Sequence, residues 1–403
     1  MTGVPILHPL AVDTWDGAER RAAMAVIESG RTTMGPKVRE FEARFAATVG
    51  ARYAVMVNSG SSANLLAVSA LFYTQPPRLR AGQVAVVPAV SWATTYYPLS
   101  QYGLRLRFVD IDPDTLNFDL DGLRAGIDDN VAVVFAVDLL GNPNDYAAIE
   151  AILAGRNIAL IEDSCEAMGA RQAGRSAGTF GLIGTFSTFF SHHISTMEGG
   201  LCVTDDEEIF HILLALRAHG WTRDLPWPNR VTTKDPRGDF HERFRFVLPG
   251  YNVRPLEIAG AVGLEQLDKL PGFLARRRDN AARFQEAFAD VPGVRPQREI
   301  GESSWYGFAL TLTDEAAVGR DEVVARLATA GVESRPIVAG NFYRSPVMAH
   351  LPHESVPSLP NADEADARGF YVGNHHLLTR ETVLALRHAV SDALGSGRRG
   401  RIG

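Results

Sequence analysis

The stretch Phe186-Ser187-Thr188-Phe189-Phe190-Ser191-His192-His193 places an imidazole five residues after a serine hydroxyl. An imidazole with a pKa near ~6.5 is partly neutral at cellular pH and suits proton transfer. Adjacent histidines point in different directions, and no third ligand lies at metal-site spacing, so no metal is expected. A purely structural histidine pair is the plainer alternative. Glu162-Asp163-Ser164-Cys165-Glu166 follows an apolar run. A carboxylate at the carboxyl end of a buried parallel strand sits where α/β sheets bind ligands. Asp163 could therefore hold a pyridine nitrogen in its protonated form, turning the ring into an electron sink; a strand-end acid capping the next helix is the alternative. In Asn58-Ser59-Gly60-Ser61-Ser62-Ala63-Asn64, small residues precede helical spacing. Backbone amides there can approach an anion, and a helix N-terminus favours negative charge. The alternative is a plain serine cap.

These stretches need elements to bring them together. Apolar runs at 53–57, 84–87, 106–109, 131–137, 158–161, 185–190 and 201–204 read as strands, most of them apolar on both faces. Helical spacing at 62–72 and 207–218 separates some of them. That alternation predicts an α/β fold around a mainly parallel sheet. Gly199-Gly200 is expected to make a tight turn before the last of these strands. Beyond residue 257 the pattern changes to two amphipathic helices, 258–270 and 273–288, then a strand at 305–312 and helices at 321–330 and 381–394. The Pro-, Arg- and Asp-rich stretch 221–249 is expected to be a long functional loop. Two domains follow: residues 1–257 with an N-terminal arm, and a smaller α+β domain of residues 258–403.

In their order and separations, the three motifs resemble the DegT/DnrJ/EryC1/StrS family of pyridoxal-phosphate-dependent nucleotide-sugar enzymes. The resemblance extends through Gly250-Tyr251-Asn252-Val253-Arg254. It implies a fold-type I transferase, aspartate aminotransferase-like, with pyridoxal 5′-phosphate (PLP) and pyridoxamine 5′-phosphate (PMP) as cofactor forms. It implies that Gly60, Ser61 and Ser187 bind the cofactor phosphate, with Asn252 reaching it from a neighbouring subunit. Trp92 would stack on the ring, Asp163 would pair with its nitrogen, and Glu166 would lie beside it. A homodimer is the implied assembly.

One position departs from the family. Ordinary members carry a Schiff-base lysine where this chain has His192. The only lysines are Lys37, Lys234 and Lys269, and none is near Ser187 in the chain. An imidazole keeps the base and removes the tether, so the cofactor is expected to be held non-covalently. The His-His pair, with 196–200, 301–305, 335–338, 340–342 and 372–375, resembles a branch of the family that removes a sugar C3 hydroxyl. The implied substrate is GDP-4-keto-6-deoxy-D-mannose, on the colitose route, with L-glutamate regenerating PMP. Arg254 is a candidate for the glutamate carboxylate, His219 for assisting the departing hydroxyl, and Arg223 and Arg335 for the nucleotide diphosphate. A second histidine-bearing branch uses an iron–sulfur cluster. With Cys165 and Cys202 alone, no such cluster is expected here. An ordinary nucleotide-sugar aminotransferase that lost its lysine, or a noncatalytic PLP-binding regulator, would share every cofactor motif.

Bulk properties narrow the partners. A formal charge of −7, 46% hydrophobic and 22% charged residues fit a globular protein without a nucleic-acid footprint. Arg276-Arg277-Arg278 reads as a solvated helix face, and Arg398, Arg399 and Arg401 as a frayed terminus. No export signal is evident in residues 1–10, and the apolar run 131–137 is too short to span a bilayer. A cytoplasmic enzyme with two reduced thiols, no membrane partner and no nucleic-acid partner is expected.

Overall fold

The computed structural model describes residues 5–356 and 358–395, so the arginine tail at 398–401 lies outside the described residues. The first nine strands are β1 (Tyr53–Val57), β2 (Val84–Pro88), β3 (Arg105–Val109), β4 (Val131–Val137), β5 (Ala159–Asp163), the two-residue arms β6 (Arg171–Gln172) and β7 (Arg175–Ser176), β8 (Ile183–Ser187) and β9 (Gly200–Thr204). Seven of them form one sheet in the order β1-β9-β8-β5-β4-β2-β3. Only β9 runs against its neighbours β1 and β8; the remaining pairings are parallel. Fully buried runs such as Val131–Val137 form the centre because helices cover both faces.

This topology puts the carboxyl ends of β1, β2, β4, β5 and β8 along one edge. Asn58, Trp92, Asp138, Asp163 and Ser187 all lie at or just beyond those ends, so one crevice collects the candidate residues.

Residues 257–288 depart from the expectation of two helices. They form one helix, Glu257–Phe288, with Pro271 inside it. A proline there removes a backbone donor, yet packing on both sides of it keeps the helix continuous. Its first half lies against helices Gly17–Glu28 and Pro36–Val49, where Gly263 lets the Phe41 ring approach. Its second half delivers Phe284 and Phe288 to a separate core with Phe308 and Phe370. That core backs a four-stranded antiparallel sheet, β10-β11-β13-β12, from Val294–Pro296, Gly307–Leu312, Gly369–Gly373 and Ser334–Arg335 respectively. The strand expected from residue 305 starts at Gly307, because Trp305 takes a left-handed φ of 50°.

The triple-arginine reading is corrected. Arg276 pairs with Asp279 at the surface, but Arg277 is buried at 5% exposure, and Arg278 donates to the carbonyls of Ser303 and Gly169. At 221–249 the chain is mostly irregular, with a short helix Asp239–Glu242 and exposed Phe240, Phe244 and Phe246. Among the described residues, no helix is long and apolar enough to cross a membrane.

Candidate active site

A cavity of about 420 Å³ opens at the carboxyl edge of the large sheet. Gly60, Ser61, Trp92, Asp163, Glu166, Ser187, His192 and Arg335 line it. Chain order separates these residues widely; the crossover connections bring them together.

The anion cradle comes first. Helix Gly60–Phe72 begins at the end of β1, with Ser59 as its cap accepting from the Ser62 amide at 3.1 Å. The cap and the cradle are thus one structure, and both readings of this serine-rich stretch hold. Gly60 is required by closeness: a Cβ there would sit 2.8 Å from Ser187 Cβ and 2.9 Å from Cys165 Sγ. Gly200, opening β9, similarly lets its strand press on the Ser59–Gly60 backbone. The expectation for Gly199-Gly200 is therefore corrected. Neither takes a positive φ, and the left-handed residue of that segment is Met197 at 68°. Substituting Gly60→Ala should close the cradle at a cost of about 1–3 kcal/mol. PLP affinity, measured by absorbance titration, is expected to fall roughly tenfold or more.

Asp163 ends β5 with its carboxylate buried at 6% exposure. Its Oδ2 accepts from Asn64 Nδ2 and Thr95 Oγ1, each at 2.8 Å, and its Oδ1 from the Cys165 amide at 3.2 Å. Thr185 donates to Asn64 Oδ1 at 2.6 Å, which fixes the amide orientation. Three donors thus converge on its two oxygens. A carboxylate facing a cavity is the partner that a protonated ring nitrogen needs. Asn64 and Thr95 were not singled out from sequence, although Asn64 follows Gly60 by one helical turn.

Glu166 accepts from the Leu140 amide at 2.9 Å and faces the cavity. Burial raises its pKa to about 7; the Leu140 bond opposes this and the Asp163 charge adds to it. Asp138, also lining the cavity, is buried and accepts from Tyr146 and Ser164 hydroxyls at 2.6 Å each. Desolvation raises its pKa despite those donors.

His192 sits in the turn after β8, where its amide donates to the Phe189 carbonyl at 2.9 Å. The ring is half-buried, and its Nδ1 has no protein partner. Burial, then the charge of Arg277, lowers its pKa to about 4, against the raising effect of the Phe189 backbone. A neutral imidazole with a free lone pair is a base. His193 points the other way, to the Ser304 carbonyl at 3.1 Å. Tyr371 in the small sheet and Tyr306 just before its strand Gly307–Leu312 both line the cavity and were missed from sequence. Nothing in their local pattern separates them from core aromatics.

No lysine lines the cavity. Lys37 pairs with Glu40 at 2.8 Å, Lys269 with Asp16 at 2.9 Å and Glu19 at 2.5 Å, and Lys234 lies over the Trp227 ring. Among the described residues no group of three His, Cys, Asp or Glu side chains could hold a metal, and both cysteines are free.

Four candidates stand outside this cavity. His219, exposed at φ 64°, lies beside Asn252, because Ala218 bridges Asn252 and the His219 amide donates to the Tyr251 carbonyl. Arg254 Nε donates to Asn252 Oδ1 at 3.0 Å. The exposed Arg223 packs on the Trp221 ring at 5.1 Å. The structure does not place them around His192 of the same chain. His219, Asn252 and Arg254 form a polar strip at the protein surface, and Arg223 is exposed on Trp221 nearby in the chain.

The donor set fits PLP or PMP: a cradle a Cβ would fill, a buried carboxylate with three donors, and Trp92 at the mouth, 59% exposed and open to a ring.

Residues 14–391 match the model of the DegT/DnrJ/EryC1/StrS aminotransferase family. The chain is 51% identical over 386 residues to GDP-4-keto-6-deoxy-D-mannose 3-dehydratase of Escherichia coli O55:H7, covering 96% of this chain and 100% of that protein. The solved E. coli GDP-4-keto-6-deoxy-D-mannose-3-dehydratase with bound hydrated PLP superposes with a TM-score of 0.94, at 51% identity over 96% of this chain and all of the other. A structure of GDP-4-keto-6-deoxymannose-3-dehydratase holding a trapped PLP-glutamate geminal diamine gives 0.93, at 51% identity, covering 95% of this chain and 100% of that one.

Proposed function

The chain belongs to the DegT/DnrJ/EryC1/StrS aminotransferase family, and from that premise we propose that it is a PLP/PMP-dependent 3-dehydratase acting on GDP-4-keto-6-deoxy-D-mannose, with L-glutamate as amino donor. One observation carries the reading: an imidazole, His192, lines the cavity, and no lysine does. Bound PMP supplies an amine that condenses with the sugar C4 ketone and a ring that stores the electrons driving C3 hydroxyl loss.

The chain's own groups do the rest. The helix N-terminus at Gly60, with Ser61 and Ser187, holds the phosphate, and Trp92 covers the ring. Asp163 keeps the proton on the pyridine nitrogen. His192 takes a proton from the cofactor C4′ carbon. Its imidazole cannot form a stable link to the cofactor aldehyde, so it does not recapture the cofactor as a lysine would. Glu166, raised to about 7, is protonated for part of its time at neutral pH and then donates a hydrogen bond. Arg335, exposed at the mouth, is placed for a diphosphate.

The strip of His219, Asn252 and Arg254, with Arg223 nearby in the chain, serves the cavity of a second protomer in this reading, with Arg254 taking the glutamate carboxylate. Its position outside the cavity that His192 lines supports a homodimer. A cytoplasmic location is supported by two free cysteines. Mixing inactive His192→Asn and Asn252→Ala proteins tests the sharing. Subunit exchange should restore activity to a fraction of the mixture, because one site per heterodimer is intact; no recovery after exchange would place both residues in one protomer's site.

The activity test is incubation of the protein with PLP, L-glutamate and GDP-4-keto-6-deoxy-D-mannose. The expected products are the 3-deoxy-4-keto sugar, ammonia and 2-oxoglutarate. An amino sugar as product would overturn the dehydratase reading in favour of an aminotransferase.

A further inference from the structure

Arg277 is the buried member of an arginine triplet and has an unusual set of partners. Its Nη1 donates to the carbonyls of Tyr306 at 3.1 Å and Trp305 at 3.4 Å, and closely to that of Asn374. Among the described residues no carboxylate lies within ion-pair distance of it, and its Nε has no partner. Burial lowers its pKa to about 10, so the guanidinium still carries its charge at neutral pH. A buried arginine is normally paired.

The carbonyls belong to a strap that touches the histidine pair. Trp305 carries the left-handed φ of 50°; the Ser304 carbonyl before it goes to His193, while those of Trp305 and Tyr306 converge on Arg277. The Ser304 carbonyl meets the His193 ring at 3.1 Å. The Tyr306 ring centroid lies 5.3 Å from that of His192, and its hydroxyl lies 3.3 Å from Ser191 Oγ. Asn374 closes the clamp, donating to the Trp305 carbonyl at 2.9 Å and the Arg277 carbonyl at 3.1 Å.

We infer that Arg277 is a positioning residue for His192. Its guanidinium pins the 304–306 strap that carries the Tyr306 ring beside the imidazole, and it brings an unpaired positive charge to that strap. The first half stands on geometry alone; the catalytic consequence rests on His192 being the base. Other groups around the ring are Glu166, Asp163, Tyr306, Tyr371 and Arg335 in the cavity, with His193 and Arg278 behind. Burial pushes Glu166 up to about 7 and Tyr306 up to about 12, so both lean toward neutrality. Burial is the largest influence lowering His192, and the Arg277 charge comes next. The sign is simple: removing a nearby positive charge makes protonation easier, so the ring titrates at higher pH.

The experiment follows the imidazole by NMR in cofactor-free protein, with His192→Asn assigning the signal. Arg277→Gln keeps donors for the carbonyls and removes the charge; its His192 titration should move up by about one pH unit. Arg277→Lys retains the charge and should restore most of the wild-type value. Asn280→Asp covers the case in which the Gln variant does not fold. It adds a carboxylate one helical turn along, with Arg277 in place, and should shift the titration the same way. Coincident titrations of wild type, Arg277→Gln and Asn280→Asp would overturn the inference, as would an equal shift in the Lys and Gln variants. Because no substrate is present, a failed dehydratase assay would leave this result standing.

Discussion

A His192→Lys variant is expected to join PLP covalently and to lose deoxygenation. The amine of lysine is a nucleophile toward the cofactor aldehyde, whereas imidazole forms no stable bond with it. The free Nδ1 and the cavity position of residue 192 show that a side chain from this turn reaches the site. Absorbance should shift on PLP addition, and borohydride should fix the cofactor mass onto residue 192. Removal of the positioned base typically costs about 10²–10⁴ in rate, and deoxygenation should fall by that order. A variant that binds PLP reversibly, with unchanged product formation, would assign the base elsewhere.

The second large effect is expected at Asp163. Asn64 and Thr95 both donate to Oδ2, and the Cys165 amide donates to Oδ1, so the group is held as an acceptor. Asp163→Asn replaces the carboxylate with an amide that cannot balance a protonated ring nitrogen, and its NH2 group must face one of those donors. Loss of a preorganised electrostatic contact of this kind costs about 10²–10³ in turnover. The buried donor mismatch adds roughly 1–3 kcal/mol of destabilisation. Single-turnover rates and thermal melting measure the two separately. Turnover within threefold of wild type would remove Asp163 from the reaction.

What was legible in the sequence was local. Gly60, Asp163, Ser187 and His192 each announced themselves through a strand followed by a distinctive turn, and parallel pairing put those turns on one edge. Less legible were residues whose role depends on distant backbone. Tyr371 of the small sheet and Tyr306 just before it line the cavity, yet their local pattern marks them as core aromatics. Arg277 sits between the exposed Arg276 and the half-buried Arg278, and a run of three arginines reads as solvated; only the strap carbonyls, presented by the left-handed Trp305, give it a buried home. Pro271 misled for the opposite reason, since a strong local breaker was overridden by packing along a 32-residue helix. The Asn252 segment is recognisable by motif, but the second-subunit role proposed for it is not encoded in any short pattern.

The most direct measurement is the single-turnover rate of His192→Asn preloaded with PMP, which bypasses the glutamate half of the cycle. With an amide at 192 the cofactor contacts proposed for Gly60, Asp163 and Ser187 are left in place while the proposed proton acceptor is gone. The expected result is PMP affinity within a few-fold of wild type and C3 deoxygenation slowed by about 10²–10⁴. Deoxygenation at the wild-type rate, with PMP equally bound, would contradict the assignment of His192 as the base.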